Sequence, residues 1–354
     1  MPGCIRIECG MRKIIDTIGT LPPESLPLLA AAAGMLLFRT ETAAAELSAL
    51  KLFVDAVLPA MFPQMILAQW FTRRCGGGKG RASLIPILFS AFTAGYPAGA
   101  YCLVGAKERG ELGAEQAALL APALVHPGVG FAVLAVGGGM FGSLSVGWLL
   151  YAATLLPTLA GTVYGLLKTR KESAAGRRAS ARLPAGEVLC SSVESAAKAC
   201  FNAAAWITAF AAFTAVLTGF FPKTASAAAL LGEATAGASA AAAGGSVMKA
   251  AFCLGFGGFS VFFQLLRPIR TTGVKASRFL LLRLLYGAGA ALTAKLLLKT
   301  AFRHTAVCAS AGRSVRLFVS DPVLTGALVL LTVVFMLCAG QKIILNHAQG
   351  CDIL

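Results

Sequence analysis

At intervals along this chain run apolar stretches of about 20 residues, the length at which an α-helix crosses the hydrocarbon core of a bilayer. They cover residues 82–106, 116–141, 142–167, 201–221, 227–245, 246–266, 278–298 and 322–340, with 26–38 and 47–71 as further candidates. The first of these, 26–38, follows Arg12 and Lys13, an arrangement shared by a signal peptide cleaved near residues 43–45. A short first helix is the preferred reading, because the segments after it need no leader. Backbone buried in lipid must satisfy its own hydrogen bonds, which restricts such segments to helices. Composition agrees: with 57% hydrophobic and 13% charged residues and a mean hydropathy of +0.76, the chain holds more apolar surface than a soluble core absorbs. The expected fold is an all-α, polytopic transmembrane helical bundle of about 8–10 membrane segments.

The formal charge of +16 would suggest nucleic acid in a soluble protein, but here the positives sit between the apolar runs. Arg73, Arg74, Lys79 and Arg81 form one cluster, Lys168, Arg170, Lys171, Arg177, Arg178 and Arg182 a second, and Arg267, Arg270, Lys275 and Arg278 a third. Retention of loops on the cytoplasmic side explains them, so the bilayer is the expected partner and nucleic acid is not. The second cluster, with Pro184, divides the chain. The division is an N-terminal segment 1–46, a first membrane half 47–167, a basic cytoplasmic linker 168–199, a second membrane half 200–300, and a basic loop with a C-terminal membrane helix 301–354.

Two glycine-rich breaks interrupt these apolar runs. One is Gly95-Tyr96-Pro97-Ala98-Gly99, preceded by Thr93; the other is Gly255-Phe256-Gly257-Gly258-Phe259. An offset of 160 residues places Ala91 on Ala251, Phe92 on Phe252, Gly95 on Gly255, Tyr96 on Phe256 and Gly113 on Gly273. Paired breaks at corresponding places in two halves point to a transport site. The crossing count supports a break: if 82–106, 116–141 and 142–167 all spanned, the first two basic clusters would lie on opposite faces. A re-entrant hairpin turning at Gly95-Tyr96-Pro97 returns both to one face, and a second re-entrant segment within 227–266 keeps the same parity. Beyond it, Lys299, Arg303, Arg313 and Arg316 fall on the opposite side. Non-helical backbone at membrane depth must be covered by protein or line a cavity.

Little enzyme chemistry is visible. The ten cysteines show no CxxC pair, and the three histidines, His126, His304 and His347, form no cluster, so neither a metal site nor a cofactor is expected. No GxSxG, Walker, Rossmann or HExxH pattern occurs. Polar residues inside the apolar runs carry what signal remains. Glu233 lies in Leu231-Gly232-Glu233-Ala234-Thr235-Ala236-Gly237, where a carboxylate is expensive unless it faces a cavity. Asn202, Ser260 and Gln264 can bond between helices or to a ligand. His126, before Pro127 and Gly128, marks another interruption. Arg283 and Lys295 read as side chains that snorkel to the interface, and Lys51 with Asp55 as an i, i+4 surface pair.

At these residues the chain resembles the YlbJ-like sporulation integral membrane proteins, relatives of the spore maturation proteins and of the nucleoside-recognition or gate domain of concentrative nucleoside transporters. The likeness rests on Gly95-Tyr96-Pro97-Ala98-Gly99 with the charged turn 107–115, on Glu233-Ala234-Thr235-Ala236-Gly237, and on the run from Gly255 through Ser260 to Gln264, over roughly residues 47–298. The chain departs from the pattern at residues 125–130, where relatives often carry an asparagine-rich turn, and at Phe262, where they often carry histidine. The resemblance implies transport of dipicolinic acid across the mother-cell-derived outer forespore membrane during sporulation. Thr93, Gly95, Tyr96, Pro97, Gly99, His126, Glu233, Thr235, Gly237, Gly255, Gly257, Gly258, Ser260 and Gln264 are then the candidate substrate-binding residues. Helix ends beside the breaks would offer N–H groups to a small anionic substrate, and Tyr96 and Phe256 would pack on its flat ring. The alternatives are a transporter of nucleoside-like or other small metabolites and a non-transporting membrane scaffold; an enzyme is disfavoured.

Overall fold

The structure is a computed structural model, and it describes residues 25–75, 81–169 and 184–302. The 322–340 span, the Arg12 and Lys13 leader motif, most of the second basic cluster, and Arg303, Arg313 and Arg316 lie outside the described residues. Every regular element described is helical. In chain order these are α1 Ser25–Leu37, α2 Arg39–Leu52, a π turn Phe53–Val57, α3 Leu58–Cys75, α4 Arg81–Thr93, α5 Ala98–Glu108, α6 Ala114–Leu120, a π-helical segment Gly130–Met140 and α7 Leu144–Lys168. They continue as α8 Ala185–Phe220, α9 Ala225–Gly232, α10 Ala234–Ala243, α11 Val247–Phe256, α12 Gly258–Thr271 and α13 Ala276–Lys299. Five continuous stretches, Arg39–Arg74, Leu144–Lys168, Ala185–Phe220, Val247–Thr271 and Ala276–Lys299, are long and apolar enough to cross a membrane. The chain is an integral membrane protein built as a polytopic helical bundle.

The two halves share one order of parts: a long helix, a helical hairpin, an interrupted helix and a second long helix. In the first half these are α2–α3, α4–α5, α6 with the π segment, and α7. In the second they are α8, α9–α10, α11–α12 and α13. The halves are inverted. At one end of the pair, Arg73 of α3 donates to the hydroxyls of Ser191 and Ser195 near the start of α8, both at 2.6 Å. At the other end, the Phe38 ring beside the start of α2 meets Phe220 at the end of α8, with centroids 5.0 Å apart. The long helices therefore run antiparallel. So do α7 and α13, since a Cβ at Gly161 would meet Tyr286 and one at Gly289 would meet Pro157.

Both hairpins fold tightly because small residues face each other across the turn. A Cβ at Gly99 would stand 2.6 Å from that of Ala91, and Cys102 reaches back to the Ser90 hydroxyl at 3.4 Å. Likewise a Cβ at Gly237 would stand 2.8 Å from the Ala229 carbonyl oxygen. Each tip then presses on the break in the following helix. Gly95, at φ +76°, has no room for a side chain, since a Cβ would lie 2.0 Å from the Gly128 nitrogen. The Tyr96 N–H donates to the His126 carbonyl at 2.7 Å, and Gly95 and Pro127 form a single antiparallel bridge. In the second half Gly258, at φ +74°, sits against Gly232 and Glu233.

These contacts correct the alignment at an offset of 160 residues. Gly95 belongs to a hairpin tip, whereas Gly257 belongs to an interrupted helix. The counterpart of Gly95 is the Gly232-Glu233 turn, and that of Gly257 is the stretch around His126 and Gly128. Both kinds of break use glycine for the same reasons, positive φ and close backbone approach, and in an Ala- and Gly-rich chain that shared chemistry aligns breaks of different topology. Three spans change with it. Residues 116–141 are not one helix, because α6 ends at Leu120 and regular structure resumes at Gly130. Residues 227–245 do not span, because they fold back at Glu233. The 201–221 span begins earlier, at Ala185, inside the stretch read as linker.

Single cysteines replacing the exposed Glu108 and Lys275, in a background without native cysteines, are expected to react with a membrane-impermeant thiol reagent from one face. Cysteines replacing Lys223 and Ser145 are expected to react only from the other. Reaction of Lys223→Cys from the same face as Lys275→Cys would rule out the inverted arrangement.

Candidate functional site

The two hairpin tips meet at the middle of the bundle, around a cavity of about 30 Å³. Tyr96 and Pro97 come from the first tip, Glu233, Ala234 and Thr235 from the second, and Ser260, Val261 and Gln264 from α12. Val57, Met61, Phe131, Ala203 and Ile207 complete its wall. The space would hold about one water molecule. Its polar lining is incompletely bonded, because the Tyr96 hydroxyl and the Gln264 amide nitrogen, both buried, have no hydrogen-bond partner among the described residues. Buried polar groups are normally paired, so two orphans facing one cavity mark a place for a ligand's polar atoms.

Glu233 is the charged member of this lining. It is the extended residue between α9 and α10, and its carboxylate accepts from the Ala236 N–H at 2.7 Å as the N-cap of α10. The helix start that could have received a substrate carboxylate is therefore filled by the protein's own. At the kinks the Gly95 N–H donates to the Ser90 carbonyl, the Tyr96 N–H to His126, and the Gly257 N–H to Cys253. The N–H groups of Gly95 and Gly257 themselves are therefore engaged within the protein. Here the glycines serve backbone packing.

The candidate residues separate into two groups. Tyr96, Pro97, Glu233, Thr235, Ser260 and Gln264 converge on the cavity. Gly99, Gly237 and Gly255 lie in helix seams, where a Cβ would strike Ala91, Cys253 and Ala290. The Thr93 hydroxyl is turned back onto the Phe89 carbonyl at 2.7 Å. Gly257 and Gly258 form the break of the second interrupted helix. His126 is fully buried behind the first tip, edge-on to Phe92 and Tyr151, and neither ring nitrogen has a hydrogen-bond partner among the described residues. Phe256 is absent from the cavity wall; it is buried against Phe252 and Phe259.

Sequence reasoning missed Arg283. It does not snorkel. The residue is 2% exposed, and its guanidinium donates to the carbonyls of Pro122 and Val125 in the first half and of Gly255 and Phe256 in the second. These carbonyls stand where the interrupted helices stop and no helical N–H follows, so the cation satisfies orphan acceptors and sits at negative dipole ends. The available signal was its position eight residues into α13, too deep for its head to reach water.

Two larger spaces flank the cavity on opposite faces. A vestibule of about 990 Å³ opens beside Arg73, Arg109 and Thr271, and Gln264 lines both it and the cavity. Another of about 710 Å³ opens beside Glu41, Gly219 and Ala243, and shares Ile207 and Glu233 with the cavity. No grouping of three or more potential metal ligands occurs among the described residues. Comparison with protein-family models, with curated proteins and with solved structures finds no match for this chain.

Replacing Arg283 by Met leaves several buried carbonyls unpaired, at about 1–3 kcal/mol each. Arg283→Met is therefore expected to lower the melting temperature of the detergent-purified protein sharply, with Arg283→Lys intermediate because one ammonium cannot reach all four acceptors. An unchanged melting temperature in Arg283→Met would contradict this role.

Proposed function

We propose that this protein is a transporter that carries a small metabolite across the membrane by alternating access. Dipicolinate is the cargo, and the outer forespore membrane the setting, that its sequence resemblance implies. The observation that carries the reading is one polar cavity with two orphan groups, pinched between hairpin tips and flanked by vestibules on opposite faces. Inverted halves with re-entrant hairpins, meeting at a site near the midplane, suit rocking of one half against the other. A cavity of about 30 Å³ excludes any cargo larger than water, which favours a gated carrier over an open channel.

The lining constrains the cargo. Tyr96 and Phe131 present ring surfaces, while Thr235, Ser260 and Gln264 supply hydrogen bonds. Two negative charges 4 Å apart repel by about 4 kcal/mol at an effective dielectric of 20. A dicarboxylate therefore enters with a proton on Glu233, which moves with it. The acidic lining also favours a second reading, a neutral cargo with hydrogen-bonding edges such as a nucleoside.

Proteoliposomes holding the full chain are expected to take up labelled dipicolinate saturably, and faster when the cargo side is acidified. Glu233→Gln is expected to lose accumulation against a gradient by about tenfold or more, while still exchanging internal for external cargo. Uptake of uridine alone would select the second reading. Uptake of neither would remove the transport proposal.

A further inference from the structure

The vestibule of about 990 Å³ carries a charge arrangement that the central cavity lacks. Four cations border it, Arg73, Arg109, Lys198 and Arg267, against one acid, Glu108. Two are committed elsewhere: Arg73 to the hydroxyls of Ser191 and Ser195, and Arg109 to Glu111 at 2.7 Å. Lys198 and Arg267 are exposed and have no partner among the described residues. They stand on two different helices that face each other across the space. On α8, Lys198, Asn202 and Trp206 recur every four residues, which places them in one stripe; on α12, Phe263 and Arg267 do the same.

One to two helical turns deeper than the cations lies an aromatic pair, Trp206 and Phe263. The Trp206 and Phe263 rings are 11° from parallel with centroids 6.3 Å apart; Phe210, 6.2 Å from Phe263, backs them from the side of the opposite vestibule. Two cations at the mouth of a space with aromatic faces deeper in it suit a planar ring bearing carboxylates, which gains stacking and charge-assisted hydrogen bonds together. The deep wall adds an independent sign. Gln264 is 7% exposed, its amide nitrogen has no partner among the described residues, and it lines both the vestibule and the cavity. The opposite vestibule has Glu41 and Glu233 among its lining residues and, among the described residues, no basic side chain, so these offer an anion nothing comparable.

We propose that Lys198, Arg267, Trp206 and Phe263 form a loading site for aromatic carboxylates in the basic vestibule, from which Gln264 passes the ligand to the central cavity. The proposal rests on the transport reading for its role, but not for its existence, because binding here needs no translocation. Electrostatic focusing in such a cleft raises the local anion concentration and the rate of capture, and it weakens with salt.

The test uses the full chain in nanodiscs of neutral phosphatidylcholine, with benzene-1,3-dicarboxylate as the probe and calorimetry as the readout. Cyclohexane-1,3-dicarboxylate, equally charged and not aromatic, is the comparison. The wild type is expected to bind the aromatic probe more tightly. The Lys198→Gln, Arg267→Gln double variant is expected to weaken it by about tenfold or more. Trp206→Leu is expected to abolish the preference for the aromatic ring, and Glu41→Gln in the opposite vestibule to change nothing. All these positions except Trp206 are exposed, and a wild-type melting temperature certifies each variant as folded.

Absence of binding in the wild type, equal binding in the double variant, or equal affinity for the two dicarboxylates would each overturn the loading site. So would occupation of the vestibule by phosphatidylglycerol that soluble dicarboxylate cannot displace, which would identify a lipid headgroup site. Wild-type binding without any flux in proteoliposomes removes the transport reading and leaves the loading site standing. Flux unaffected by the double variant removes the loading site alone.

Discussion

Four backbone carbonyls, left without helical partners where two helices are interrupted, converge on the guanidinium of Arg283. Broken helices are needed if irregular backbone is to reach the middle of a membrane, and each break leaves acceptors that lipid cannot satisfy. One cation on α13 serves both breaks, so the halves are joined by hydrogen bonds as well as by apolar packing. That matters more in lipid than in water, because burial of apolar surface drives helix association weakly where the solvent is itself apolar. The breaks held by Arg283 in turn support the hairpin tips, Gly95 against Gly128 and Glu233 against Gly258. The tips define the cavity.

Much of the architecture was legible in the sequence, and the failures have a common cause. Apolar length and basic loops located the membrane segments and required a re-entrant hairpin at Gly95-Tyr96-Pro97. Length could not separate a hairpin from a span in residues 227–245, because two short apolar arms have the hydropathy of one long one. Glu233 was the clue to the fold-back, as an extended N-cap at the turn. The repeat was mis-registered because a hairpin tip and a helix break both demand glycine. Whether the halves are parallel or inverted lay beyond the sequence, since direction is set by contacts such as Arg73 to Ser191.

The site was partly legible for similar reasons. Tyr96, Glu233, Thr235, Ser260 and Gln264 stood out as polar or aromatic residues beside breaks, and the fold gathers them. Val57, Met61, Ala203 and Ile207 carried no signal, being apolar residues in apolar helices whose facing is decided by packing alone. The glycines at 99, 237 and 255 were conspicuous for a structural reason. The charge asymmetry of the vestibules needed the fold, because Lys198 and Arg267 lie far apart in sequence and meet across a space that only the packed helices create.

On the proposed transport mechanism, the cavity between the hairpin tips opens alternately to the two faces. Ser260, buried in its wall, can be replaced by cysteine in a protein otherwise free of cysteine and reconstituted in one orientation. The decisive measurement is the rate at which a small, charged thiol reagent modifies Ser260→Cys when added to either face alone. Alternating access gives modification from both faces, slowed by cargo on each. Modification from only one face, or from neither, at any cargo concentration would contradict it.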